Sequence, residues 1–159
     1  MKKIQRFPIL LVFMLCAALL TSCRTEQVER LEHYHADMSR FFDTVSAYHN
    51  SINAIEETAD AKEAAGEFLR LLDGLQQEFS SLRNVPIPDE YASIADLMLD
   101  AADSMEEATR LYHEAYDGPF REVKAEQARI WYNRANRCIQ VIRQVLRGET
   151  PAGEDLIIR

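Results

Sequence analysis

Glycine, proline and cysteine are scarce in this sequence. Its 159 residues include only five glycines and five prolines, which cluster between segments of helical periodicity. Because these residues are the usual breaks in a helix, long uninterrupted helices are expected. Of the three cysteines, only Cys138 lies beyond residue 23, so no disulfide can form within that part of the chain. Cys138 falls on an apolar helical face, which predicts a small buried side chain rather than a reactive thiol.

Motifs that carry catalytic or cofactor chemistry are also missing. The sequence contains no Gly-x-Ser-x-Gly elbow, no glycine-rich phosphate loop, no Asp-x-Asp-x-Asp-Gly calcium loop and no Cys-x-x-Cys-His haem motif. We therefore predict that the protein is not an enzyme and that it has no resident cofactor.

Charge is absent from an apolar stretch near the start of the chain. Residues 7–20 carry no charged side chain, and Lys2, Lys3 and Arg6 precede them. A basic segment followed by roughly 7–15 apolar residues is typical of a signal peptide, whereas a membrane-spanning helix needs about 20. We therefore predict a cleaved signal peptide.

The sequence Leu20-Thr21-Ser22-Cys23 follows this apolar stretch directly. It resembles the lipobox of bacterial lipoproteins, in which Leu, two small residues and Cys end the signal peptide. The resemblance implies removal of residues 1–22 and modification of Cys23 to an N-palmitoyl, S-diacylglycerol cysteine. Two or more acyl chains hold a protein stably on a bilayer. The resemblance therefore implies a lipid-anchored protein on the extracytoplasmic side of the cell membrane or outer membrane, with residues 23–27 as anchor and short spacer.

Acidic residues outnumber basic residues in this chain. There are 18 Lys and Arg residues against 26 Asp and Glu residues. Residues 1–22 include three of the basic residues and no acid, so the remainder has 15 basic and 26 acidic residues, a net charge of −11. Such a chain repels nucleic acid and anionic head groups. We expect no nucleic-acid partner, and we expect membrane attachment to depend on the lipid of Cys23.

Apolar residues recur with helical spacing in four segments. The predicted helices span residues 25–57, 60–82, 88–117 and 120–147. Prolines at residues 86 and 88 and the pair Gly118-Pro119 mark two of the breaks between them. Short connections make successive helices antiparallel neighbours. The predicted fold class is all-α, an up-down-up-down four-helix bundle of long antiparallel helices over residues 28–147, followed by a C-terminal tail at residues 148–159.

The same spacing predicts which side chains face inward. In the first helix these are Val28, Leu31, His35, Met38, Phe42, Val45, His49 and Ile52, flanked every seven residues by Tyr34, Phe41, Tyr48 and Ile55. In the fourth helix they are Val123, Ala128, Trp131, Ala135, Cys138, Ile142 and Val145. Gly66 and Gly74 interrupt the second helix, where each costs about 1 kcal/mol against Ala.

The segment before the third helix reads Pro86-Ile87-Pro88-Asp89-Glu90-Tyr91. This Pro-x-Pro-x-Glu-Tyr pattern before an acidic helix resembles the middle of small helical lipoproteins of Gram-positive bacteria. The resemblance is loose, and it implies no particular activity.

Acids form a stripe on the third predicted helix. Residues 88–117 carry nine acids and one Arg, whereas residues 119–147 carry seven basic residues and two acids. The stripe predicts a solvated face that is partly neutralised by the fourth helix, and surface pairs of this kind set register more than stability. A surface for a divalent cation or a basic partner is the alternative. Its candidate residues are Asp96, Asp100, Asp103 and Glu107.

Metal and haem sites are common inside helical bundles, so the histidines need testing. Glu32-x-x-His35 matches half of a di-iron carboxylate site, which requires a second Glu-x-x-His and two further glutamates. Arg110 stands where the glutamate of a second motif would precede His113. We therefore predict no metal site, and we interpret the histidines as amphipathic side chains at the edge of the core.

Two hypotheses about function remain. The first is a membrane-anchored lipoprotein whose helices form a binding or structural module for another protein of the cell envelope. The second is a bundle that senses a small ligand or a metal in the periplasm or at the cell surface.

Overall fold

Helices make up most of the part of the chain that the structure describes. The computed structural model describes the backbone of residues 7–58 and 61–151, and the surroundings of side chains in residues 26–55 and 64–151. These residues contain no β-strand. The α-helices are α1 (Phe7–Thr58), α2 (Ala61–Ser81), α3 (Ala95–Tyr116) and α4 (Glu122–Leu146), with 3-10 turns at Leu82–Asn84 and Asp89–Ile94. The prediction of an all-α chain with four helices is confirmed.

Helix α1 begins much earlier than its amphipathic part. The predicted start at residue 25 is wrong, because the backbone is already helical from Phe7. Residues 7–24 contain no glycine, and their one proline, Pro8, lies in the first turn, where proline needs no amide partner. The apolar periodicity therefore marks where a buried face begins and not where the helix begins.

The buried face of α1 is rotated from the predicted one. Tyr34 and Phe41 are 4% and 7% exposed, whereas His35, Phe42 and His49 are only half-buried. Val28 is 50% exposed, so its predicted inward position is wrong. The position of α2 explains this rotation. The Phe41 ring packs against Phe79 of α2 with centroids 5.7 Å apart, and α2 approaches from that side.

Helix α2 contributes three fully enclosed side chains to the core, Leu72, Leu75 and Phe79, whereas Phe68 near its start is only half-buried. One of its two glycines has a packing reason. A Cβ atom on Gly74 would lie 2.5 Å from Tyr48 Oη and 2.8 Å from two ring carbons of the same tyrosine. Gly74 therefore lets α1 and α2 approach closely around the Tyr48 ring. A Cβ on Gly66 would meet nothing within 4 Å.

Helix α3 begins later than predicted. The residues after Pro88 form a 3-10 segment, Asp89–Ile94, and the α-helix starts only at Ala95. Tyr91 interrupts that segment with φ −113° and ψ 15°. Its ring stacks on Tyr34 at 5.6 Å. This contact with α1 outweighs the local preference for a regular helix.

Helix α4 is shorter than predicted at its start. Gly118 takes φ +86°, and the Arg121 amide donates to the Ala115 carbonyl at 2.9 Å. This turn places Pro119 in the link, so α4 begins at Glu122. Val123 is 69% exposed, and its predicted inward position is wrong because the close α3–α4 contact begins only beyond it, at Ala128. Gly148, at φ +73°, ends the helix as predicted.

Helix α3 lies at the centre of the packing and contacts both α2 and α4. Its buried side includes Met98 and Met105, and several alanines allow close approach of the helices. The fully enclosed alanines are Ala101, Ala102, Ala108 and Ala115 on α3 and Ala128 and Ala135 on α4. Since an alanine keeps helix axes close, α3 and α4 share the most extensive contact of any two helices described.

Candidate functional site

The predicted lipid-attachment residue, Cys23, lies in α1 where side chains fall outside the described residues. The same applies to the remaining lipobox residues and to the predicted signal peptide. Their assignment therefore remains a prediction from the sequence. Among the described residues, no helix has both the length and the apolar character that crossing a membrane requires.

Three of the four acids in the predicted interaction surface engage arginines. Asp103 accepts from Arg83 Nη2 at 2.7 Å, and Glu107 accepts from Arg110. Asp96 is exposed and makes no ion pair in residues 26–55 or 64–151. Three of these four carboxylates are therefore neutralised, and Asp96 is the one of the four that has no ion pair among the described residues.

Asp100 is the most enclosed acid of this surface. Arg134 donates to its carboxylate through two nitrogens, from Nη2 to Oδ2 at 2.9 Å and from Nε to Oδ1 at 3.1 Å. Their side chains are 29% and 30% exposed. A bidentate pair of this geometry fixes the register of α3 against α4, and it leaves Asp100 little capacity for a partner.

The Cys138 thiol lies against the same carboxylate. Its Sγ is 3.7 Å from Asp100 Oδ2, and the side chain is fully buried. Burial, followed by the negative charge of Asp100, raises the pKa of the Cys138 thiol to about 12. The thiolate is the reactive form of cysteine, so this environment favours the predicted packing role.

Two arginines outside α4 also neutralise acids of α3. The sequence analysis did not predict these roles. Arg83, in the turn after α2, donates from Nη2 to Asp103 and to Glu106 at 2.7 and 2.6 Å. Arg110 lies between two glutamates of its own helix, Glu107 and Glu114. The pairs of Arg110 could have been predicted from their spacing in the sequence, since residues three or four apart share a helix face. The contact of Arg83 depends on tertiary structure.

An aromatic cluster joins α1 to the segment before α3. His35 Nε2 lies 2.9 Å from Tyr91 Oη, and Tyr34 Oη donates to Met98 Sδ at 3.8 Å. Burial, and then the neighbouring Tyr91, raises the pKa of Tyr34 to about 12. His35 therefore helps to join α1 to the segment before α3. Across residues 26–55 and 64–151, no three His, Cys, Asp or Glu side chains are grouped so as to hold a metal ion.

His49 occupies a second position at the edge of the core. Its ring lies 5.8 Å from that of Tyr132 on α4. Burial lowers the pKa of His49, and the positive charge of Arg143 lowers it further. His49 therefore titrates at lower pH than an ordinary histidine and stays neutral at pH 7.

Two grooves lie beside α1, each with a volume of about 290 Å³. The first, which we call the α1–α4 groove, is lined by His35, Met38, Ser39, Phe42, Asp43, Ser46, Arg143, Leu146 and Arg147. The second, which we call the proline groove, is lined by Gln27, Arg30, His33, Tyr34, Asp37 and residues 85–90. Neither groove was foreseen, because each joins residues that are far apart in sequence.

The α1–α4 groove contains two arginines that have no carboxylate partner among the described residues. The guanidinium of Arg143 lies over the Phe42 ring, 4.6 Å from its centroid. Neither Arg143 nor Arg147 makes an ion pair with a carboxylate of residues 26–55 or 64–151. Cationic donors therefore remain available in this groove.

Comparison with known proteins adds no relative. No protein-family model, no curated protein and no solved structure matches this chain.

Proposed function

We propose that the protein is a lipid-anchored, extracytoplasmic lipoprotein whose helices form a binding or structural module for another protein of the cell envelope. The observation that carries the proposal is Leu20-Thr21-Ser22-Cys23, placed directly after a basic and then uncharged apolar leader. The lipid on Cys23 supplies the membrane affinity that a net charge of −11 beyond residue 22 cannot supply. The protein acts by contact and not by catalysis.

We further infer that the four helices form an up-down-up-down bundle. The support is the order of contacts between successive helices, because residue numbers rise along one helix as they fall along the next. These contacts are Phe41–Phe79 and Tyr48–Gly74 for α1 and α2, Phe68–Tyr112 and Arg83–Asp103 for α2 and α3, and Asp100–Arg134 and Glu114–Lys124 for α3 and α4.

This arrangement gives the module a membrane-facing end. Residues soon after Cys23 contact the segment before α3, where Gln27 donates to Glu90 at 2.7 Å. Because the spacer after the lipid is only a few residues long, the end that contains this contact stays close to the bilayer. The link between α3 and α4 then lies at the far end, towards the aqueous space.

The partner surface is best sought on the outer face of α3. Asp96 keeps a free carboxylate there, and Leu99 is 47% exposed. Asp96 and Leu99 are three residues apart on one helix and therefore share a face. An exposed leucine beside an acid without an ion pair fits a partner segment that is apolar with a basic flank.

The anchor is tested by labelling cells with an alkyne analogue of palmitate. We expect label on the wild-type protein and on a Cys138→Ala control, and no label on Cys23→Ala. The Cys23→Ala protein should also keep residues 1–22, since the resemblance implies that cleavage follows lipidation. A Cys23→Ala protein that is labelled and processed like wild type would contradict the anchor.

The partner surface is tested by crosslinking in the native envelope, followed by purification and mass spectrometry. We expect Asp96→Lys and Leu99→Lys each to reduce one crosslinked species that a Glu29→Lys control on α1 retains. Glu29 is also exposed, so the control makes the same kind of charge change elsewhere. Equal crosslinking in all three variants would rule out this face.

A small-ligand sensor is the second candidate function. The observation that favours it is the α1–α4 groove, whose mainly polar lining combines three apolar side chains, Met38, Phe42 and Leu146, with two guanidinium groups that have no carboxylate partner among the described residues. Its volume of about 290 Å³ is close to the lower end for small-molecule sites.

A further inference from the structure

The α1–α4 groove has the composition of a binding site for an amphiphilic anion. Its polar donors are Arg143 and Arg147 from α4 and the Ser39 hydroxyl from α1. Its apolar side is formed by Phe42 and Leu146. Ligand sites in proteins are usually apolar concavities with a few convergent polar groups that fix orientation.

The way Arg143 is held leaves its donors available. Its Cζ atom lies 4.6 Å from the centroid of the Phe42 ring, which is a cation–π contact. Such a contact uses the charge of the guanidinium and none of its five N–H donors. The donors of Arg143 can therefore form hydrogen bonds to a carboxylate or a phosphate.

Other charges nearby do not satisfy these arginines. Asp43 lines the same groove, but no ion pair joins it to Arg143 or Arg147. The end of α4, where carbonyl groups would repel an anion, is partly capped. The Gly148 amide donates to the Val145 carbonyl, and the Glu149 amide donates to the Gln144 carbonyl, both at 2.9 Å.

We propose that the α1–α4 groove binds a small organic anion. Arg143 and Arg147 hold its carboxylate or phosphate group, and Phe42 and Leu146 contact a short apolar portion. The groove volume of about 290 Å³ limits the ligand to a small molecule or to one segment of a lipid. This site does not depend on the lipid anchor or on the protein partner, so it can fail or succeed independently of both.

The direct test is a titration of the full mature chain, carried in nanodiscs of zwitterionic phosphatidylcholine. The probes are hexanoate, hexyl phosphate and neutral hexanol, and the readout is the NMR signals of the arginine side-chain Nε–Hε groups. We expect saturable shifts of the Arg143 and Arg147 signals with hexanoate or hexyl phosphate. Hexanol should produce none. Equal binding of hexanol would overturn an anion site.

Variants assign the contacts. Arg143→Gln and Arg147→Gln should each weaken binding about 10- to 100-fold, because each removes a charge-assisted hydrogen bond. Asp43→Asn should tighten binding, since it removes the negative charge beside the site. Arg129→Gln, an exposed position on the same helix, is the matched control and should bind like wild type. Circular dichroism checks that each variant is folded.

Two further experiments distinguish a membrane lipid from a soluble ligand and test whether acids of the C-terminal tail compete for the site. Replacing phosphatidylcholine with anionic phosphatidylglycerol distinguishes a membrane lipid from a soluble ligand, because a membrane lipid would shift the arginine signals without hexanoate. A Glu154→Gln, Asp155→Asn double variant removes two acids that follow α4 in the sequence, and so tests whether they compete with the added anion. No saturable shift with any probe or lipid, in wild type and in this double variant, would overturn the site. The same affinity in Arg143→Gln and Arg147→Gln as in wild type would overturn it as well.

Discussion

Helix α4 meets its two neighbours in different ways, and Arg134 and Arg143 illustrate the contrast. On the α3 side, Arg134 is bound by both oxygens of Asp100, among alanines that bring the helix axes close. On the α1 side, Arg143 stacks on the Phe42 ring and has no carboxylate partner in the described part of the chain. Small residues and satisfied charges make a closed contact, whereas large aromatic residues hold helices apart.

Both grooves are lined by α1, which is consistent with this difference. Side chains such as Tyr34, His35 and Phe42 are wide, and Tyr34 stacks on Tyr91 while the His35 ring meets the same tyrosine edge to face. They leave space between helices that alanine would close. The α3–α4 contact is therefore closed, whereas the surroundings of α1 contain the grooves, one of which is the proposed anion site.

The largest expected effect concerns the close approach of α1 and α2 at Gly74. Gly74→Ala should lower the free energy of unfolding by about 1–3 kcal/mol, because the new Cβ overlaps the Tyr48 ring. The matched control, Gly66→Ala, should raise it by about 0.5–1 kcal/mol, since nothing lies within 4 Å and alanine favours the helix. Urea denaturation measures both. Equal effects at the two glycines would show that Tyr48 does not require Gly74.

The second effect tests how closed the α3–α4 contact is. The folded protein holds the Cys138 proton with a pKa of about 12, whereas an unfolded thiol loses it near pH 8.5. Between these values the folded state binds more protons, so stability must fall as pH rises, by up to about 1.4 kcal/mol per pH unit. Unfolding free energies measured from pH 8 to 10.5 should show this fall, and Cys138→Ala should reduce its slope. An unchanged slope would mean that the thiol reaches solvent.

The smallest effect separates the two arginines of α4. Arg134→Gln should cost about 1 kcal/mol of stability, because it leaves the half-buried Asp100 carboxylate with a poorer partner. Arg143→Gln should lower the free energy of unfolding by no more than about 1 kcal/mol, the value of a cation–π contact near the protein surface. Thermal unfolding of the two variants compares them directly. A larger loss for Arg143→Gln would give that residue a structural role and weaken its assignment to a ligand.

Much of the α3–α4 contact was predictable, and little of the α1 surroundings was. Helical spacing identified Ala135, Cys138 and Ile142 of α4 as buried, and opposite charge on the two helices anticipated contacts such as Asp100 with Arg134. The grooves could not be foreseen. Spacing within a helix says which face is apolar, but not which neighbour covers it or how closely.

The sequence by itself determined the helical class of this chain and the approximate extent of α2, α3 and α4, because the period of apolar residues and the positions of proline and glycine are local properties. It also carries the lipobox on which the proposed anchor depends. Tertiary structure decided the rotation of α1, the late start of α3 at Ala95 and the pairing of Arg83. Each of these results from contacts between residues distant in sequence, whose combined energies exceed the small local preferences that spacing reports.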